Sequence, residues 1–297
     1  MDIIASRPSP ILDLLANMQE RAKQADRHDP QARISISIQL PLFPKDEDKS
    51  AIPNYLARTP LFAPIRAARR KLHDNELLPS PNGVEIRFSG PQLDMADQDV
   101  FLLALKLAQG TNLYEPVRCN RSQFLKALGW KTSGKERQAF GKSAYEWLDQ
   151  SFQRLATGTL HIKTKRYKAH LSLISEWLQD ENTGQWEFIV GGKILDLFQN
   201  KEYAFIDLAK RRLLGRRVDL AKWLQSYAAT HRRGLHRVKV EELKNWCGYA
   251  SPIRKFREAL MQALAEMERL QIVISVSFYK EQTMVQWVRL ENAVLTA

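Results

Sequence analysis

The sequence predicts an α+β protein in which one supersecondary unit occurs twice along the chain. Each copy reads as a short strand, a short helix, a loop, a long amphipathic helix and an apolar hairpin. Each short helix ends in a glycine and an aromatic residue, Gly129-Trp130 in the first copy and Gly248-Tyr249 in the second. Two copies of one unit indicate tandem homologous domains rather than a solenoid.

The spacing of the two copies differs in one place. The short helices lie 119 positions apart (Phe124 to Leu243), whereas the long helices lie 112 positions apart (Leu148 to Leu260). Only the loop between the two helices therefore differs in length, and it is longer in the first copy. We expect this loop, which contains lysine, to add contacts that the second copy cannot make.

The first eighty residues differ in composition from the rest of the chain. After a predicted helix over residues 11–24 they are rich in charge, alanine and proline, and the prolines break any long periodic element. We therefore predict a flexible N-terminal arm over residues 1–80, a first domain over 81–200 and a second domain over 201–297. The first domain begins with an alternating strand at 84–88 and a helix over 95–109.

The composition limits the partners and the location of the protein. The chain has 297 residues and a net charge of +12, so its partner should be anionic, either nucleic acid or an acidic membrane surface. No apolar run approaches the roughly 18 residues that a spanning helix needs, and Asp2 and Asp13 interrupt any signal core. Cys119 and Cys247 lie beside predicted core segments, which indicates buried thiols rather than a disulfide. We expect a cytoplasmic protein with no membrane partner.

Basic residues crowd the loop before the first long helix and the N-terminal end of that helix. Apolar residues from Phe140 to Leu155 form its inward stripe. In a helix-turn-helix domain the N-terminal part of the second helix enters the major groove, where lysine, arginine and glutamine contact phosphates and base edges. The predicted DNA-binding residues here are Lys131, Lys135, Arg137, Gln138 and Lys142.

The hairpin that follows suggests a wing. Residues 159–162 and 169–173 read as its two strands, and the tip between them is basic around Tyr167. We interpret the unit as a winged-helix domain whose wing contacts DNA. The residues predicted to do so are Lys163, Lys165, Arg166 and Lys168.

The second copy has the same distribution with less charge. Pro252 suits the first turn of its long helix, and Lys280 lies at its hairpin tip. The predicted DNA-binding residues are Arg232, Arg233, Ser251, Arg254, Lys255 and Arg257. Alternatively, these charges only solvate exposed helix faces. Solvating charge has no reason, however, to collect at the same end of the same helix in both copies.

Three patterns resemble enzyme or metal sites without meeting their requirements. Residues 139–143 end like a phosphate-binding loop, but Glu136 stands where that motif needs its first glycine. His231 and His236 are separated by four residues among arginines, so phosphate contact or exposure is the better interpretation. Three acidic residues at a predicted helix start are read as capping and dipole-compensating residues: Asp94, Asp97 and Asp99. We predict neither an enzyme nor a cofactor nor a metal site.

Short motifs in a fixed order across both copies resemble one known family. The motifs are Phe88-Ser89-Gly90, Asp97 and Asp99, Glu115-Pro116, Leu128-Gly129-Trp130, Ser172-Leu173-Ile174, Leu197-Phe198, Tyr203, Phe205, His231-Arg232, Cys247-Gly248, Arg254 and Lys255. In this order they resemble the TrfA-type plasmid replication initiators over about three quarters of the chain. Each motif alone is weak, but their shared order over two domains is hard to obtain otherwise.

The arm contains a separate match to the same family. Gln39-Leu40-Pro41-Leu42-Phe43 resembles the short peptide by which replication proteins dock on the bacterial sliding clamp. In that interpretation Leu40, Leu42 and Phe43 fill an apolar groove and Gln39 supplies a directional hydrogen bond. The alternative is a strand that continues the alternation of residues 34–38. Pro41 departs from the serine or aspartate more usual at its position.

The resemblance implies an origin-binding protein rather than an enzyme. Members of this family bind directly repeated sites (iterons) in double-stranded plasmid origin DNA, promote melting of an adjacent segment, and recruit the host initiator and replicative helicase. The resemblance also implies a monomer–dimer equilibrium. From the residues alone, two winged helices on one chain can place two recognition helices in successive major grooves. The alternative is a plasmid-encoded winged-helix transcriptional repressor.

Overall fold

The computed structural model describes residues 48–65, 70–81, 84–109, 111, 115–132, 140–163, 168–180, 185–191, 194, 197–198, 202–214 and 218–290. The helices in these ranges are α1 (Asn54–Ala57), α2 (Met95–Leu107), α3 (Arg121–Ala127), α4 (Lys142–Thr157), α5 (Leu208–Leu213), α6 (Asp219–Ala229), α7 (Val240–Trp246) and α8 (Ile253–Arg269). The strands are β1 (Lys49–Pro53), β2 (Phe62–Ala63), β3 (Leu72–Leu78), β4 (Glu85–Pro91), β5 (Leu93–Asp94), β6 (Val117–Cys119), β7 (Thr159–Lys163), β8 (Lys168–Ser172), β9 (Ile174–Gln179), β10 (Trp186–Val190), β11 (Tyr203–Asp207), β12 (Gly234–Lys239), β13 (Val273–Tyr279) and β14 (Met284–Arg289).

The same arrangement of helices and strands occurs twice. The first unit consists of α2, β6, α3, α4, β9 and β10, and the second of α6, β12, α7, α8, β13 and β14. Each unit has a three-stranded antiparallel sheet in which the last strand lies in the centre, β6-β10-β9 and β12-β14-β13. This is the helix, strand, two-helix, hairpin order of a winged helix. The predicted α+β fold with two tandem winged-helix domains is confirmed.

The repeated glycine and aromatic pair ends the short helix in the same way in both units. Gly129 and Gly248 adopt φ values of 85° and 69°, a region that costs glycine little because it has no Cβ. The amide of Trp130 donates to the Leu125 carbonyl (3.0 Å), and that of Tyr249 donates to the Lys244 carbonyl (3.1 Å). With the glycine amide bonded three residues back, each helix end is a Schellman motif. The glycine therefore turns the chain toward the long helix that follows, α4 in the first unit and α8 in the second. These two long helices are called the recognition helices below.

Part of the predicted arm belongs to the folded body. β1 pairs antiparallel with β11, with Ser50 opposite Ile206, and Ala51 and Ile52 are fully buried. β3 pairs with β4. The prediction of a flexible arm is therefore wrong from residue 48 onward, because these segments bury apolar side chains despite the prolines among them. Residues 1–47 lie outside the described residues, and the domain boundary at residue 200 stays a prediction.

The first unit pairs its hairpins differently from the prediction. β7 and β8 form the expected hairpin, but they extend a four-stranded sheet of order β3-β4-β7-β8. The hairpin that pairs with β6, as β13 and β14 pair with β12, is β9 and β10. The interpretation of residues 159–173 as the wing of the first unit is therefore wrong. Both hairpins show strand-like patterns, and strand pairing across the fold decides between them.

Each recognition helix is held by the apolar stripe that the sequence predicts. Leu148, Phe152 and Leu155 of α4 are fully buried, as are their counterparts Leu260, Leu264 and Met267 in α8. Phe256 of α8 is also fully buried. Phe140 is also buried, but α4 begins at Lys142, so Phe140 precedes the helix. Pro252 is the N-cap of α8 and does not lie within its first turn.

The acidic residues at the start of α2 hold other elements against this helix, and one of them, Asp99, contacts the second unit. Asp94 caps the helix in a capping box with Asp97, as predicted. Asp97 also accepts hydrogen bonds from Ser151 (2.6 Å) and Arg154 of α4. Asp99 forms ion pairs with Arg211 of α5 and Lys222 of α6. Capping was therefore an incomplete explanation, since two of these carboxylates hold other elements against α2.

Candidate nucleic-acid interface

The recognition helix of the first unit presents a polar stripe to solvent. Its first residue, Lys142, is 91% exposed in its side chain and lies 3.6 Å from Glu146. Along the same face the exposed residues are Ser143, Glu146, Gln150 and Gln153. Glutamine can bond both edge atoms of an adenine in the major groove. Sequence reasoning missed Gln150 and Gln153, although the helical period opposite the apolar stripe would have identified them.

Arg121, at the start of α3, fastens the two helices of the first unit together. It donates to Asp149 of α4 (2.9 Å) and to the Gln179 side chain of β9 (3.0 Å). Its guanidinium also lies 5.0 Å from the centre of the Tyr145 ring. These three contacts fix the direction of α4 relative to α3, which a recognition helix needs for a defined register.

Only part of the basic set predicted for the first unit can be placed. Lys131 is exposed just after α3, whereas three others lie outside the described residues: Lys135, Arg137 and Gln138. At the β7–β8 hairpin, Lys163 and Lys168 are exposed register partners. Hydrogen bonds from Arg87 and Lys163 lower the pKa of Glu85. The tip residues Lys165 and Arg166 are not described.

The second unit carries its cations on the recognition helix itself. Arg254 is 80% exposed and lies 3.4 Å from Glu258 one turn along, and Lys255 is exposed beside it. Arg257 is half-buried, and within the described structure its Nε atom is buried without a hydrogen-bond partner. Ser251 is half-buried before the helix. Arg254 and Lys255 are therefore the two side chains here that can reach a ligand without rearrangement.

The wing of the second unit ends in a tight turn. Lys280, Glu281 and Gln282 are exposed and adopt φ values of 49°, 55° and 62°. The Thr283 hydroxyl donates to the Lys280 carbonyl (2.7 Å), and the Val240 amide donates to the Thr283 carbonyl (3.0 Å). The second bond ties the tip to the start of α7. Lys280 thus extends from a tip that is fixed to the rest of the unit.

The predicted role of the two histidines is wrong. The rings of His231 and His236 contact each other at an angle of 44°, with centres 3.9 Å apart, and the Nδ1 atom of His231 lies 2.9 Å from the Tyr227 carbonyl. Burial, together with the nearby His236 and Arg58, lowers the pKa of His231 to about 3. A neutral, half-buried imidazole does not act as a cation for phosphate. The neighbouring Arg232 and Arg233 are exposed.

Among the described residues, no group of three or more histidine, cysteine or acidic side chains could hold a metal ion. None of the helices described is both long enough and apolar enough to cross a membrane. Cys119 and Cys247 are both free. Burial raises the pKa of Cys247 to about 12, so its thiol is a core side chain.

Known proteins include one family that matches this chain and solved structures that resemble its fold. A family model described as TrfA protein matches residues 12–285. The crystal structure of the Pi initiator protein in complex with iteron DNA is similar, with a TM-score of 0.53 and 13% identity over 83% of this chain and 99% of that one. A structure of domains 2 and 3 of RctB matches with a TM-score of 0.49 and 13% identity, over 79% and 96% respectively. No curated protein sequence matches this chain.

Proposed function

We propose, from the premise that this chain belongs to the TrfA protein family, that it is a plasmid replication initiator that binds repeated origin sites. The observation that carries the proposal is the second occurrence of the winged-helix unit, with an exposed polar face on the recognition helix of each unit. Two such helices on one chain can occupy successive major grooves on one face of DNA, about 10 bp apart. One chain can then read a site that other proteins read as dimers.

The joint between the units supports this proposal because a fixed joint fixes the distance between the two helices. Arg211 donates to the Gln98 side chain of α2 (2.6 Å) and to the Lys222 carbonyl of α6 (3.0 Å), and it pairs with Asp99. β1 and β11 add an antiparallel pair across the same region. Such a joint suits a ligand that contacts the chain at two positions with a fixed spacing.

Direct repeats in the DNA beside its own gene provide the test. The purified chain should protect regularly spaced repeats in a footprint, and one repeat should bind one chain. Affinity should fall steeply with salt, because each neutralised phosphate releases roughly 0.9 of a counterion. A chain that protects no repeat, or binds repeats and unrelated DNA equally, would contradict the proposal.

The likeness of this fold to that of the Pi initiator, which was solved with iteron DNA, supports DNA as the ligand. We further propose that binding promotes opening of the adjacent origin segment, and that the chain recruits the host initiator and replicative helicase. A monomer–dimer equilibrium belongs to the same proposal. Opening can be measured by permanganate reactivity of unpaired thymines in supercoiled origin DNA, with relaxed DNA as the control.

The clamp-like peptide is a separate part of the proposal. Gln39, Leu40, Leu42 and Phe43 lie outside the described residues, so the argument for clamp docking remains one of sequence. Leu42→Ala with Phe43→Ala should abolish capture by the sliding clamp and leave DNA binding unchanged. Unchanged clamp capture would discard the docking hypothesis without affecting the DNA-binding proposal.

A plasmid-encoded repressor remains the second candidate, since basic winged helices serve repressors equally well. An origin-dependent replication assay separates the two functions. An initiator supports replication of a plasmid that carries only the origin, whereas a repressor does not.

A further inference from the structure

A cavity of about 550 Å³ lies at the joint between the two units. Its apolar wall comes from the first unit, where Leu128, Trp130 and Trp147 line it, and from Leu208 and Leu214 at the two ends of α5. The volume falls within the range of roughly 300–1,000 Å³ typical of ligand pockets. A cavity of this size between two units can therefore hold a short peptide segment.

Two tryptophans whose rings contact each other at an angle of 35° form part of this wall. The rings of Trp130 and Trp147 lie 4.6 Å apart, and Trp130 is 38% exposed although it is a large aromatic residue. The exposed part of Trp130 leaves apolar area at this wall that a second apolar group can cover. Nothing in the DNA-binding proposal uses this face of Trp130.

Asp48, the first residue that the structure describes, lies beside this cavity. Asp48 lies 3.5 Å from Arg212, and its carbonyl accepts a hydrogen bond from the Leu208 amide (2.6 Å). Arg212 and Leu208 both line the cavity. Phe43 precedes Asp48 by five residues, so an extended chain can carry its ring up to roughly 17 Å from Asp48. Leu42 and Phe43 are thus tethered within reach of the tryptophans.

The charge of the cavity also favours the N-terminal segment that contains Leu42 and Phe43. Four cationic side chains line the cavity, Lys131, Arg211, Arg212 and Lys222, with two carboxylates, Asp99 and Asp219. Arg211 and Lys222 both pair with Asp99, so Lys131 and Arg212 form the cationic rim. Residues 45–48 contain one lysine and three acidic residues. The acidic end of the arm therefore meets the cationic rim, as the Asp48–Arg212 pair already illustrates.

We propose that this cavity seats the chain's own Gln39–Phe43 segment when no other protein holds it. Leu42 and Phe43 cover the Trp130 ring, and the tether makes the binding intramolecular, so that weak contacts suffice at a high effective concentration. The seat itself does not depend on the proposed function. Its consequence does, because a seated Leu42 and Phe43 are unavailable to a sliding clamp.

Hydrogen exchange of the full-length chain, followed by mass spectrometry, tests the seat. The amides of residues 39, 40, 42 and 43 should exchange at least about tenfold more slowly than in an unbound chain, the ratio expected when nine in ten chains are seated. Trp130→Ala should abolish this protection. Leu178→Ala removes a comparably exposed apolar residue of β9 that does not line the cavity, and it should leave the protection intact.

A second variant covers the case in which Trp130→Ala disturbs the fold. Leu42→Ser with Phe43→Ser changes only the arm, so it cannot damage the cavity wall, and it should speed exchange at residues 127–131. Absence of protection in the unaltered chain would overturn the proposal, as would protection that persists in Trp130→Ala. Protection that grows with protein concentration would assign the cavity to the arm of a second copy and overturn the intramolecular seat.

None of these measurements uses DNA or a clamp, so their failure leaves the proposed function standing. If both proposals hold, Trp130→Ala should bind the clamp about tenfold more tightly than the unaltered chain, because it no longer competes for the segment. If the clamp does not bind at all while the exchange results are as expected, only the clamp hypothesis fails.

Discussion

The aromatic clusters of the two units differ in chemistry. In the first unit Phe124, Phe152, Trp186 and Phe188 pack against one another, with the Phe152 and Trp186 ring centres 4.2 Å apart. In the second unit Tyr227 lies among His231, His236, Trp246 and Trp287. The same fold thus forms around an apolar cluster in one case and around a titratable cluster in the other. The two units should therefore differ in their response to core truncation and to acid.

The units also differ in where they carry positive charge. In the second unit Arg254 and Lys255 belong to the recognition helix. In the first unit Lys142 is the single cation in the described first turn, and the sequence places Lys131, Lys135 and Arg137 before this helix, in the predicted loop. A helix holds side chains in a fixed direction, whereas a loop places charge with less constraint. We expect the second helix to contribute more to sequence discrimination and the loop to contribute more to general affinity.

Truncation of the core should have the largest effect. Phe152→Ala and Phe256→Ala both empty fully buried positions and should each destabilise the chain by about 3–5 kcal/mol. The loss should be greater for Phe152, because it contacts three other rings and aromatic pairs add roughly 0.5–1.5 kcal/mol each. Urea titration measures both values. Equal losses of unfolding free energy in the two variants would contradict the idea that ring contacts stabilise the first unit more than the second.

Acid should weaken the second unit more than the first. His231 has a folded pKa of about 3, below its ordinary 6.5, so the unfolded chain takes up the proton first. Its contribution to stability is complete above pH 6.5 and is lost as the pH falls toward 3. Between pH 7 and pH 5 the loss should be about 2 kcal/mol, measured by urea titration at the two pH values.

A matched control for the acid experiment exists on the β7–β8 hairpin. The rings of His161 and His170 contact each other at a similar centre distance, 4.0 Å, but His170 is exposed whereas His231 is half-buried. His231→Gln should remove most of the pH dependence, whereas His161→Gln should retain it. The idea of an acid-sensitive second unit fails if His161→Gln flattens the profile and His231→Gln does not.

Removal of the helix-borne cations should reduce specific binding by a factor of about 10–100. Arg254→Ala with Lys255→Ala loses contacts to base edges or phosphates, and a good base contact contributes roughly 1–3 kcal/mol. The control variant, Lys71→Ala with Arg118→Ala, removes the same amount of positive charge elsewhere. Lys71 is the residue before β3 and Arg118 lies on β6, so this variant should bind DNA normally. Competition with unrelated DNA gives the specificity ratio. If this ratio is unchanged, the second helix does not discriminate between sequences.

Changes in the first loop should produce the smallest effect and a different kind of effect. Lys131→Ala with Lys135→Ala should lower the slope of log affinity against log salt by up to about 1.8, at roughly 0.9 for each lost phosphate contact. Repeated and unrelated DNA should be affected alike. If affinity falls only for the repeated DNA, the first loop contributes to sequence recognition rather than to general affinity.

Sequence reasoning succeeded where a local pattern has one physical cause. The glycines at 129 and 248 marked equivalent helix ends because only glycine readily accepts the required backbone there. The apolar stripes of α4 and α8 identified their buried faces because a helix repeats every 3.6 residues. The family resemblance was confirmed by the match over residues 12–285. Most of the candidate DNA contacts stay predictions.

It failed where two distant segments had to be paired. Residues 49–53 read as part of an arm because Pro53 and its neighbours discourage regular structure, yet they pair with residues 203–207. The basic hairpin at 159–173 was interpreted as a wing, yet β9 and β10 occupy that place. His231 and His236 read as exposed because arginines surround them in sequence, while Tyr227 and Trp287 enclose them in space.

By itself the sequence determined the repeated unit, its helices and their buried faces, and the basic character of the chain, because each depends on spacing or composition within a short window. The tertiary structure alone decided which hairpin completes the first sheet, that Asp99 joins the units, and that residues 49–53 belong to the folded body. Those outcomes depend on contacts between residues such as Asp99 and Arg211, 112 positions apart. Such contacts leave no periodic trace in the sequence, since many segments share the same local pattern and only one arrangement packs them all.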